Sequence, residues 1–411
     1  MNQARWVYWY RPVFFRELSV TQNPDDLCPR SERLPTQATT PHAPPIYLSS
    51  VWECRDPEQA DAILSGRESG YVYGRDGHPN ADLLADKCRQ LHGTERAAIA
   101  NSGMAALALV LLSQLEPGDH VVVSDQLYGR TSSLFTVEAA RWGISSSLVD
   151  ICNLDAVKAV MTPKTKLLVT ETISNPLLRV ADISALAEVA HGHQAALLAD
   201  NTLAGPTVCR PHELGADWVM ESLTKTMNGH SDVILGLLCG PAQRWQRVPG
   251  VLSTWGLASA PFDCWLALRG LGTLGVRMER ATANAAAVAQ VLAGASQVEA
   301  VYYPGLIGHA DHLLAKRQFG NRFGSIVTFT LRGGTPAATA FMAAASEIPF
   351  CPSLGELATT LSHPESTSHR ALSTQERARL GIAGGTIRLS VGIESADAVV
   401  KAIRGGLAGL P

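Results

Sequence analysis

The chain has 411 residues, which is enough for two or three packed domains. Its 34 lysines and arginines nearly balance 37 aspartates and glutamates, so the charge gives no reason to expect a nucleic-acid or anionic-membrane partner. Hydrophobic residues make up 46% of the chain and charged residues only 17%, a composition that excludes disorder over most of the length.

The eight cysteines are scattered along the chain, and the nearest pair, Cys239 and Cys264, is 25 residues apart. This spacing contains no CxxC motif and therefore predicts neither a zinc site nor a disulfide framework. The first twenty residues are rich in aromatics, but Arg5, Arg11 and Arg16 interrupt them, so neither a signal peptide nor a membrane span is expected. We expect a cytoplasmic protein with reduced thiols and no bound metal.

The first part of the chain predicts an arm followed by an alternation of strands and helices. Residues 1–60 are rich in proline and predict an extended N-terminal arm, and residues 61–258 predict a large α/β domain. Apolar runs predict strands at 97–100, 120–125, 145–150, 166–172, 195–200 and 217–222. The amphipathic stretches between them predict helices at 102–115, 131–143, 153–161 and 182–193. This alternation is typical of a mostly parallel sheet that is covered on both faces.

Residues 259–411 predict a smaller α+β domain. An alanine-rich helical region spans 268–292, and further helices are predicted at 309–319 and 335–348. Ser373 with Glu376 three residues later is a capping-box pattern. Strands are expected at 325–331 and at 387–394, where Ile387, Leu389, Val391 and Ile393 would share one face.

One motif resembles a dinucleotide-binding fingerprint but lacks its context. Gly270, Gly272 and Gly275 spell GxGxxG. That fingerprint must follow a strand and open a helix, whereas the residues before Gly270 have a helical pattern and the glycines are predicted to lie within a helix. A nicotinamide or flavin site is therefore not expected.

The segment 222–233 contains a candidate attachment site for a cofactor. Lys225 follows an apolar strand and is flanked by the hydroxyls of Ser222 and Thr224. A partly desolvated lysine can attack an aldehyde to form a Schiff base, and neighbouring hydroxyls can donate to phosphate oxygens. The alternative is a surface lysine beside a turn.

Asp200 ends an apolar run that predicts a buried parallel strand. At the carboxyl end of such a strand it could pair with a protonated ring nitrogen and keep a cofactor electron-withdrawing. The alternative is a carboxylate that caps a helix or a turn.

Two further segments lie at the same predicted edge of the sheet. Residues 101–105 (NSGMA) join a strand to a helix whose first N–H groups could bind phosphate, although Ser102 could simply be an N-cap. Tyr128 lies in the next strand-to-helix loop, where its ring could stack on a flat cofactor or be an ordinary half-buried tyrosine.

Arg388 lies on the face of its predicted strand opposite to the apolar face. Its guanidinium could bind a substrate carboxylate in bidentate fashion. A solvated arginine on an edge strand is the alternative.

Together these segments resemble the Cys/Met-metabolism family of pyridoxal-phosphate enzymes, which includes cystathionine γ-lyase, cystathionine γ-synthase and methionine γ-lyase. The similarity runs from about residue 44 to the C-terminus. The motifs that carry it include GYVYGRDGHPN, NSGMAA, LYGRT, ETISNP, ADNT, SLTKTMNGHSDV and RLSVGIE. The implied fold is α/β of the aspartate-aminotransferase type (PLP-dependent transferase fold type I), with a large, mostly parallel sheet domain and a smaller C-terminal domain.

The resemblance implies pyridoxal 5'-phosphate as cofactor and gives roles to individual residues. Lys225 would hold the cofactor as a Schiff base, Asp200 would pair with the ring nitrogen, and Tyr128 would stack on the ring. The other cofactor contacts implied within one subunit are Ser102, Gly103, Met104, Thr202, Ser222 and Thr224. The substrate contacts implied are Asn175, Ser353 and Arg388.

The resemblance also implies self-association. Tyr73 and Arg75 would reach the phosphate of the neighbouring subunit, so a homotetramer of two dimers with shared active sites is expected. An amino acid is the expected substrate.

Six residues depart from the pattern of many relatives, among them His78 and Asn80, which stand where Asn and Thr are usual. Glu221 stands where His or a small residue is frequent, Thr226 where Tyr is common, and Ala358 where cystathionine γ-lyases have Glu. Arg130 replaces a Gly or Cys near the place where the distal end of a substrate would lie. It could serve a leaving anion or an anionic side chain there, or it could point to solvent. These departures favour a specialised substrate over cystathionine.

We therefore expect γ-elimination or γ-replacement on an L-amino acid whose γ leaving group is a thiolate, an ester or a halide. The alternative reaction is β-elimination from cystathionine or cystine, which needs a proton to leave the α carbon only. A non-catalytic regulatory homologue is the other alternative.

Overall fold

The computed structural model describes residue 39 and residues 41–410. The aromatic start of the chain and most of the predicted arm lie outside the described residues. The chain divides into two units at Pro45 and Ile46, and the elements below belong to the second unit.

The larger sheet contains seven strands within the described part of the chain. They are β1 (Arg96–Ala100), β2 (His120–Ser124), β3 (Ser145–Val149), β4 (Thr165–Glu171), β5 (Ala196–Asp200), β6 (Trp218–Ser222) and β7 (Gly236–Gly240). Their order is β1-β7-β6-β5-β4-β2-β3, and β7 runs antiparallel to both of its neighbours whereas the other pairs are parallel. The six strands predicted between residues 97 and 222 are confirmed.

The first helices surround this sheet. They are α1 (Pro57–Leu64), α2 (Pro79–His92), α3 (Gly103–Gln114), α4 (Gly129–Ser133), α5 (Leu154–Val160), α6 (Ile183–Gly192) and α7 (Val248–Thr254). Side chains of a strand alternate between the two faces, and the core follows that alternation. Val121 and Val123 of β2 pack in the cluster that contains Leu107 of α3, whereas Val122 packs with Leu186 of α6 on the other face. The sheet is therefore covered on both faces, as predicted.

The smaller sheet lies in the C-terminal part and is antiparallel. Its strands are β8 (Val298–Tyr302), β9 (Ile326–Leu331), β10 (Thr360–Ser362) and β11 (Thr386–Ser390), in the order β10-β11-β9-β8. The accompanying helices are α8 (Pro261–Leu271), α9 (Leu274–Ala293), α10 (His312–Phe319), α11 (Gly334–Ala344), α12 (Thr374–Arg379) and α13 (Ala396–Ala408). The capping box of Ser373 and Glu376 is confirmed at the start of α12.

Three details differ from the sequence-based expectations. The glycine triplet is not inside one helix, because α8 ends at Leu271 and α9 begins at Leu274. The predicted helix 131–143 changes type along its length, from α4 to a π-helix over 134–138 and a 3₁₀-helix over 139–142. The last strand ends at Ser390, so Ile393 is not part of it and is 37% exposed.

Within residues 41–410, no helix combines the length and the apolar character that a bilayer crossing needs. The seven cysteines in the described part of the chain are free thiols.

Candidate active site

A cavity of about 310 Å³ opens where the carboxyl ends of β4, β5 and β6 meet the start of α3. Ligands of α/β proteins bind at this end of the strands. Twelve of the residues singled out in the sequence line the cavity, namely Ser102, Gly103, Met104, Tyr128, Asn175, Asp200, Thr202, Ser222, Thr224, Lys225, Ser353 and Arg388. Residues that are up to 286 positions apart in the chain are thus brought to one site.

The start of α3 forms one wall of this cavity. Ser102 is the N-cap, and its hydroxyl accepts the N–H of Ala105 at 3.1 Å. The first N–H groups of a helix have no partner within the helix, and they favour an anion together with the helix dipole. A Cβ on Gly103 would lie 3.1 Å from Cβ of Ser222, and a Cβ on Gly236 would collide with the Ser102 carbonyl oxygen. Two glycines therefore let the backbone approach the site closely.

Hydroxyls from β6 and its neighbours complete this wall. Thr202 accepts the Ser222 N–H on its hydroxyl oxygen at 2.9 Å. The Thr224 hydroxyl oxygen accepts the Leu235 N–H at 3.1 Å. The hydroxyls of Thr202, Ser222 and Thr224 line the cavity together with the N-terminus of α3. This set of hydroxyls and N–H groups suits a phosphate group.

Lys225 follows this wall and is only partly accessible to solvent. Its Nζ donates to Oγ of Ser353 at 2.7 Å. Burial lowers the pKa of the Lys225 amine. The negative charge of Glu356 opposes this shift, and the positive charge of Arg388 adds to it. A lysine in this environment loses its proton more readily than an exposed one, as a nucleophilic or basic amine must.

Arg388 is not a solvated edge residue, so that alternative reading of its strand was wrong. Its strand β11 lies between β10 and β9, and the side chain is 5% exposed. Nη1 donates to Oδ1 of Asn175 at 2.9 Å and Nη2 donates to the Ser353 carbonyl oxygen at 2.6 Å. Its buried Nε has no hydrogen-bond partner among the described residues. Burial lowers the pKa of Arg388 to about 10, so the guanidinium remains charged at neutral pH.

Glu171 is a cavity residue that the sequence analysis did not single out. It ends β4, pairs in register with Asp200 of β5, and is 5% exposed. Its carboxylate accepts the N–H of Tyr128 at 2.7 Å and the N–H of Asn175 at 3.2 Å. Glu171 thereby joins the loop of the candidate stacking tyrosine to the loop of the candidate substrate ligand. Glu171 could have been found from the sequence, because it ends an apolar strand, and this was the feature by which Asp200 was singled out.

The two carboxyls on β4 and β5 are buried together. Burial raises the pKa of Asp200 to about 6, although the Thr202 N–H, which donates to its Oδ1 at 3.0 Å, acts in the opposite direction. Burial raises the pKa of Glu171 too, and the neighbouring Asp200 adds to that increase. A cationic group in the cavity beside Asp200 would relieve this cost.

Three of the residues singled out in the sequence do not line the cavity. Tyr73 is 44% exposed, and the Arg75 guanidinium lies 5.3 Å from the centre of its ring. Arg75 donates to the Ser253 carbonyl oxygen of α7 at 3.1 Å. Arg130 is exposed on α4. Thr131 and Ser368, in contrast, line the cavity and were not foreseen.

The family model of the Cys/Met metabolism PLP-dependent enzymes matches residues 28–408. The chain belongs to this family. Its fold class, its nature as a pyridoxal-phosphate enzyme of transsulfuration and amino-acid metabolism, and its cofactor were therefore predicted correctly.

Individual family members are similar over nearly their whole length. The L-methionine gamma-lyase of Porphyromonas gingivalis is 38% identical over 89% of this chain and 92% of its own. The O-succinylhomoserine sulfhydrylase of Pseudomonas aeruginosa is 38% identical over 90% and 91%. The crystal structure of the cystathionine gamma synthase from Xanthomonas oryzae pv. oryzae, in complex with aminoacrylate and cysteine, has a TM-score of 0.85 at 36% identity and covers 89% of this chain and 93% of that one.

The cavity fits the cofactor of the family on its own chemistry. Pyridoxal phosphate needs an amine, an anion site and a carboxylate for its ring nitrogen. Lys225, the wall at the start of α3, and the buried Asp200 supply these three groups around one space. The high pKa of Asp200 in the cofactor-free protein is the expected signature of a carboxylate that awaits a cationic partner.

This signature leads to a prediction for the cofactor-free protein. Asp200→Asn should raise its free energy of unfolding at pH 7.5, by up to roughly 3 kcal/mol, because the charged carboxylate no longer has to be buried. The pKa rises from 3.8 to about 6 on folding, so the folded state binds more protons between these values and wild-type stability falls across that window as pH rises. Urea unfolding of both proteins at several pH values measures the difference.

The gain in stability should vanish below about pH 4, where the carboxyl is protonated in both states. The same variant should bind pyridoxal phosphate more weakly than wild type. Equal unfolding free energies at pH 7.5 would contradict the assignment of Asp200 as a buried, unpaired charge.

Proposed function

We propose that the chain catalyses γ-elimination or γ-replacement on an L-amino acid that carries a γ leaving group. The carrying observation is the convergence of Lys225, Tyr128 and Arg388 on one cavity of about 310 Å³. The similarity to a gamma-lyase, a gamma synthase and a sulfhydrylase over about nine-tenths of the chain supports it.

Arg388 and Asn175 are the groups that we assign to the substrate carboxylate. The guanidinium is buried, charged and held by Asn175 and Ser353, so its direction is fixed before a substrate arrives. Its Nε has no hydrogen-bond partner among the described residues, which supports a role in binding an anionic ligand. A bidentate guanidinium–carboxylate contact would orient the α carbon of the amino acid toward Lys225.

Lys225 is the group that we assign to proton transfer. Pyridoxal phosphate, when bound, acts as an electron sink for the substrate carbon atoms. Departure of a γ substituent then requires the removal of a proton from the α carbon and of another from the β carbon. The lowered pKa of Lys225 supports the role of a base at neutral pH, and Ser353 Oγ holds Nζ in place.

Tyr128 is the group that we assign to ring stacking and to protonation of the leaving group. Its backbone is fixed by the Glu171 carboxylate, whereas its side chain is 44% exposed in the isolated chain. Arg130 lies two residues further along on α4, and we assign it to the distal end of the substrate, where it would favour an anionic group.

Product analysis tests the proposed reaction. The purified protein with pyridoxal phosphate is incubated separately with L-methionine, an O-acyl-L-homoserine and L-cystathionine, with and without an added thiol. We expect 2-oxobutyrate without thiol, or a thioether product with it. Pyruvate from cystathionine as the sole product would show β-elimination and overturn the proposal.

We also propose that the active unit is a homotetramer of two dimers in which subunits share active sites, in a reducing cytoplasm. The free thiols of the described cysteines support a reducing compartment. Tyr73 and Arg75 support the sharing, because both are exposed and outside the cavity of their own chain. A guanidinium stacked near a tyrosine ring on the surface is suited to a phosphate on another subunit.

Arg75→Ala should weaken the affinity for pyridoxal phosphate roughly 10- to 100-fold, because one charge-assisted hydrogen bond to the phosphate is lost. Equilibrium binding of the cofactor to the apo-protein measures this loss, and light scattering gives the oligomeric state. Arg67→Ala, which also removes an exposed arginine, is the matched control and should bind the cofactor normally. Normal affinity in a monomeric Arg75→Ala protein would exclude a shared site.

A further inference from the structure

A fully buried pair of ionisable side chains lies behind the larger sheet. Glu221 is on β6 between Met220 and Ser222, which line the cavity, so its own side chain projects from the opposite face. There its Oε1 lies 3.2 Å from Nε2 of His92, the last residue of α2. Both residues are 0% exposed. Two ionisable groups in an apolar core are costly unless they serve each other or a third group.

The pair is connected to the cavity through Asn201, the residue that follows Asp200. The Asn201 amide donates to Oε1 of Glu221 at 2.8 Å and to the Cys209 carbonyl oxygen at 3.0 Å. Its amide oxygen accepts the Thr172 hydroxyl at 2.9 Å. Glu221 therefore fixes the turn in which the Asp200 carboxylate enters the cavity.

Glu221 also acts on Asp200 through its charge. The two side chains belong to neighbouring strands, since Asp200 pairs in register with Met220. The negative charge of Glu221 adds to burial in raising the pKa of Asp200. Charges interact strongly across a water-free core. His92, by contrast, belongs to a helix packed against the sheet, so the carboxylate is the end of the pair on the strand beside Asp200.

Few other groups around Glu221 can change charge. The thiols that interact with it are Cys88, Cys209 and Cys239, and burial raises the pKa of each thiol. They remain neutral over the pH range in which the protein would work. The charges that act on Asp200 are those of Glu171, at the end of the neighbouring strand β4, and of Glu221, from behind the sheet.

We propose that Glu221 is a positioning residue of the cofactor site: its carboxylate holds the Asn201 amide and with it the turn that carries Asp200, and its negative charge on the neighbouring strand strengthens the hold of Asp200 and the cofactor on their shared proton. The inference rests on the proposed role of Asp200 as the partner of the ring nitrogen. It gives a physical role to a residue that departs from the pattern of many relatives.

Exchange of the two residues separates charge from structure. In His92→Glu/Glu221→His both residue types are kept, but the carboxylate moves from β6 to α2. The pH at which the visible absorption band of the bound cofactor is half lost is compared among the wild type, this double variant and Glu221→Gln. The melting temperature of each cofactor-free protein is measured alongside.

Removal of the negative charge of Glu221 disfavours the protonated, cationic form of the bound cofactor. We therefore expect the pH at which the visible band is half lost to fall by about half a unit or more in Glu221→Gln. The midpoint of the double variant should also fall below that of wild type, because the carboxylate no longer lies on the strand beside Asp200, while its melting temperature should exceed that of Glu221→Gln. The matched control is Glu213→Gln, which neutralises an exposed carboxylate and should leave the midpoint unchanged.

Equal midpoints in the wild type and a folded Glu221→Gln protein would overturn the inference and reduce the pair to a structural one. If the double variant does not fold, Glu221→Asp decides, because it keeps the negative charge and should keep the midpoint near that of wild type, whereas a fall equal to that of Glu221→Gln would contradict us. A wild-type protein without a visible band would overturn the proposed function and this inference together, whereas a normal wild-type band with an unmoved Glu221→Gln midpoint overturns the inference alone.

Discussion

Lys225→Ala is expected to abolish both the visible absorption of the bound cofactor and turnover, with turnover falling at least about 10⁴-fold. We assign to this side chain both the amine that the cofactor aldehyde needs and the base that removes protons, so one substitution removes two functions. No other described lysine lines the cavity. Absorption spectra after incubation with excess pyridoxal phosphate, together with product formation, measure the two losses.

Two controls make this result specific. Lys164→Ala removes an exposed lysine and should keep both the band and the turnover of wild type. Ser353→Ala removes the hydroxyl that holds Nζ but leaves the amine, so the band should persist and turnover should fall less. Visible absorption in a folded Lys225→Ala protein that equals wild type would show that the cofactor is attached elsewhere.

Arg388→Ala is expected to lower kcat/KM roughly 30- to 4,000-fold, mainly by raising KM. This corresponds to a loss of about 2–5 kcal/mol of binding free energy. The substitution removes a buried, charged donor that we assign to the substrate carboxylate, and it leaves the Asn175 amide oxygen and the Ser353 carbonyl oxygen without this donor. Steady-state kinetics with the substrate that passes the product test give the value.

The comparison with Arg388→Lys tests the geometry. Lysine keeps the charge but lacks the planar pair of donors, so its KM should lie between those of wild type and Arg388→Ala. Both variants should retain the visible band, because Arg388 is assigned to the substrate and not to the cofactor. A KM equal to that of wild type in Arg388→Ala would remove Arg388 from the substrate site.

The strands and the cavity wall at the start of α3 could be predicted from the sequence because their signals are local. The run around Val122 is apolar at every position, which is typical of a parallel strand between two layers of helices, and the structure confirms it. Ser102 has the residue type and the position of an N-cap, and it forms that cap. Lys225 was singled out as a candidate attachment site because the hydroxyl residues Ser222 and Thr224 lie beside it in the sequence.

Other features depend on contacts between distant parts of the chain. The alternating pattern around Arg388 fits an edge strand and an interior strand equally well, and only the pairing with both β10 and β9 decides between them. Glu171 has no flanking motif of its own, since its importance arises from a neighbour on another strand. The partner of Glu221 lies 129 positions away on α2, and no local pattern connects the two.

The cavity draws its parts from both sheets. Asp200 ends strand β5 of the larger sheet and Lys225 follows strand β6, whereas Arg388 belongs to the smaller sheet and Ser353 precedes its strand β10. The hydrogen bond from Lys225 to Ser353 crosses between the two sets. A small rotation of one sheet against the other would therefore change the distance from amine to substrate while cofactor retention stayed intact. Two of the residues that we assign to the substrate, Ser353 and Arg388, thus lie apart in the fold from Asp200 and Lys225, so substitutions around them would change the choice of amino acid while the residues assigned to vitamin B6 stay in place.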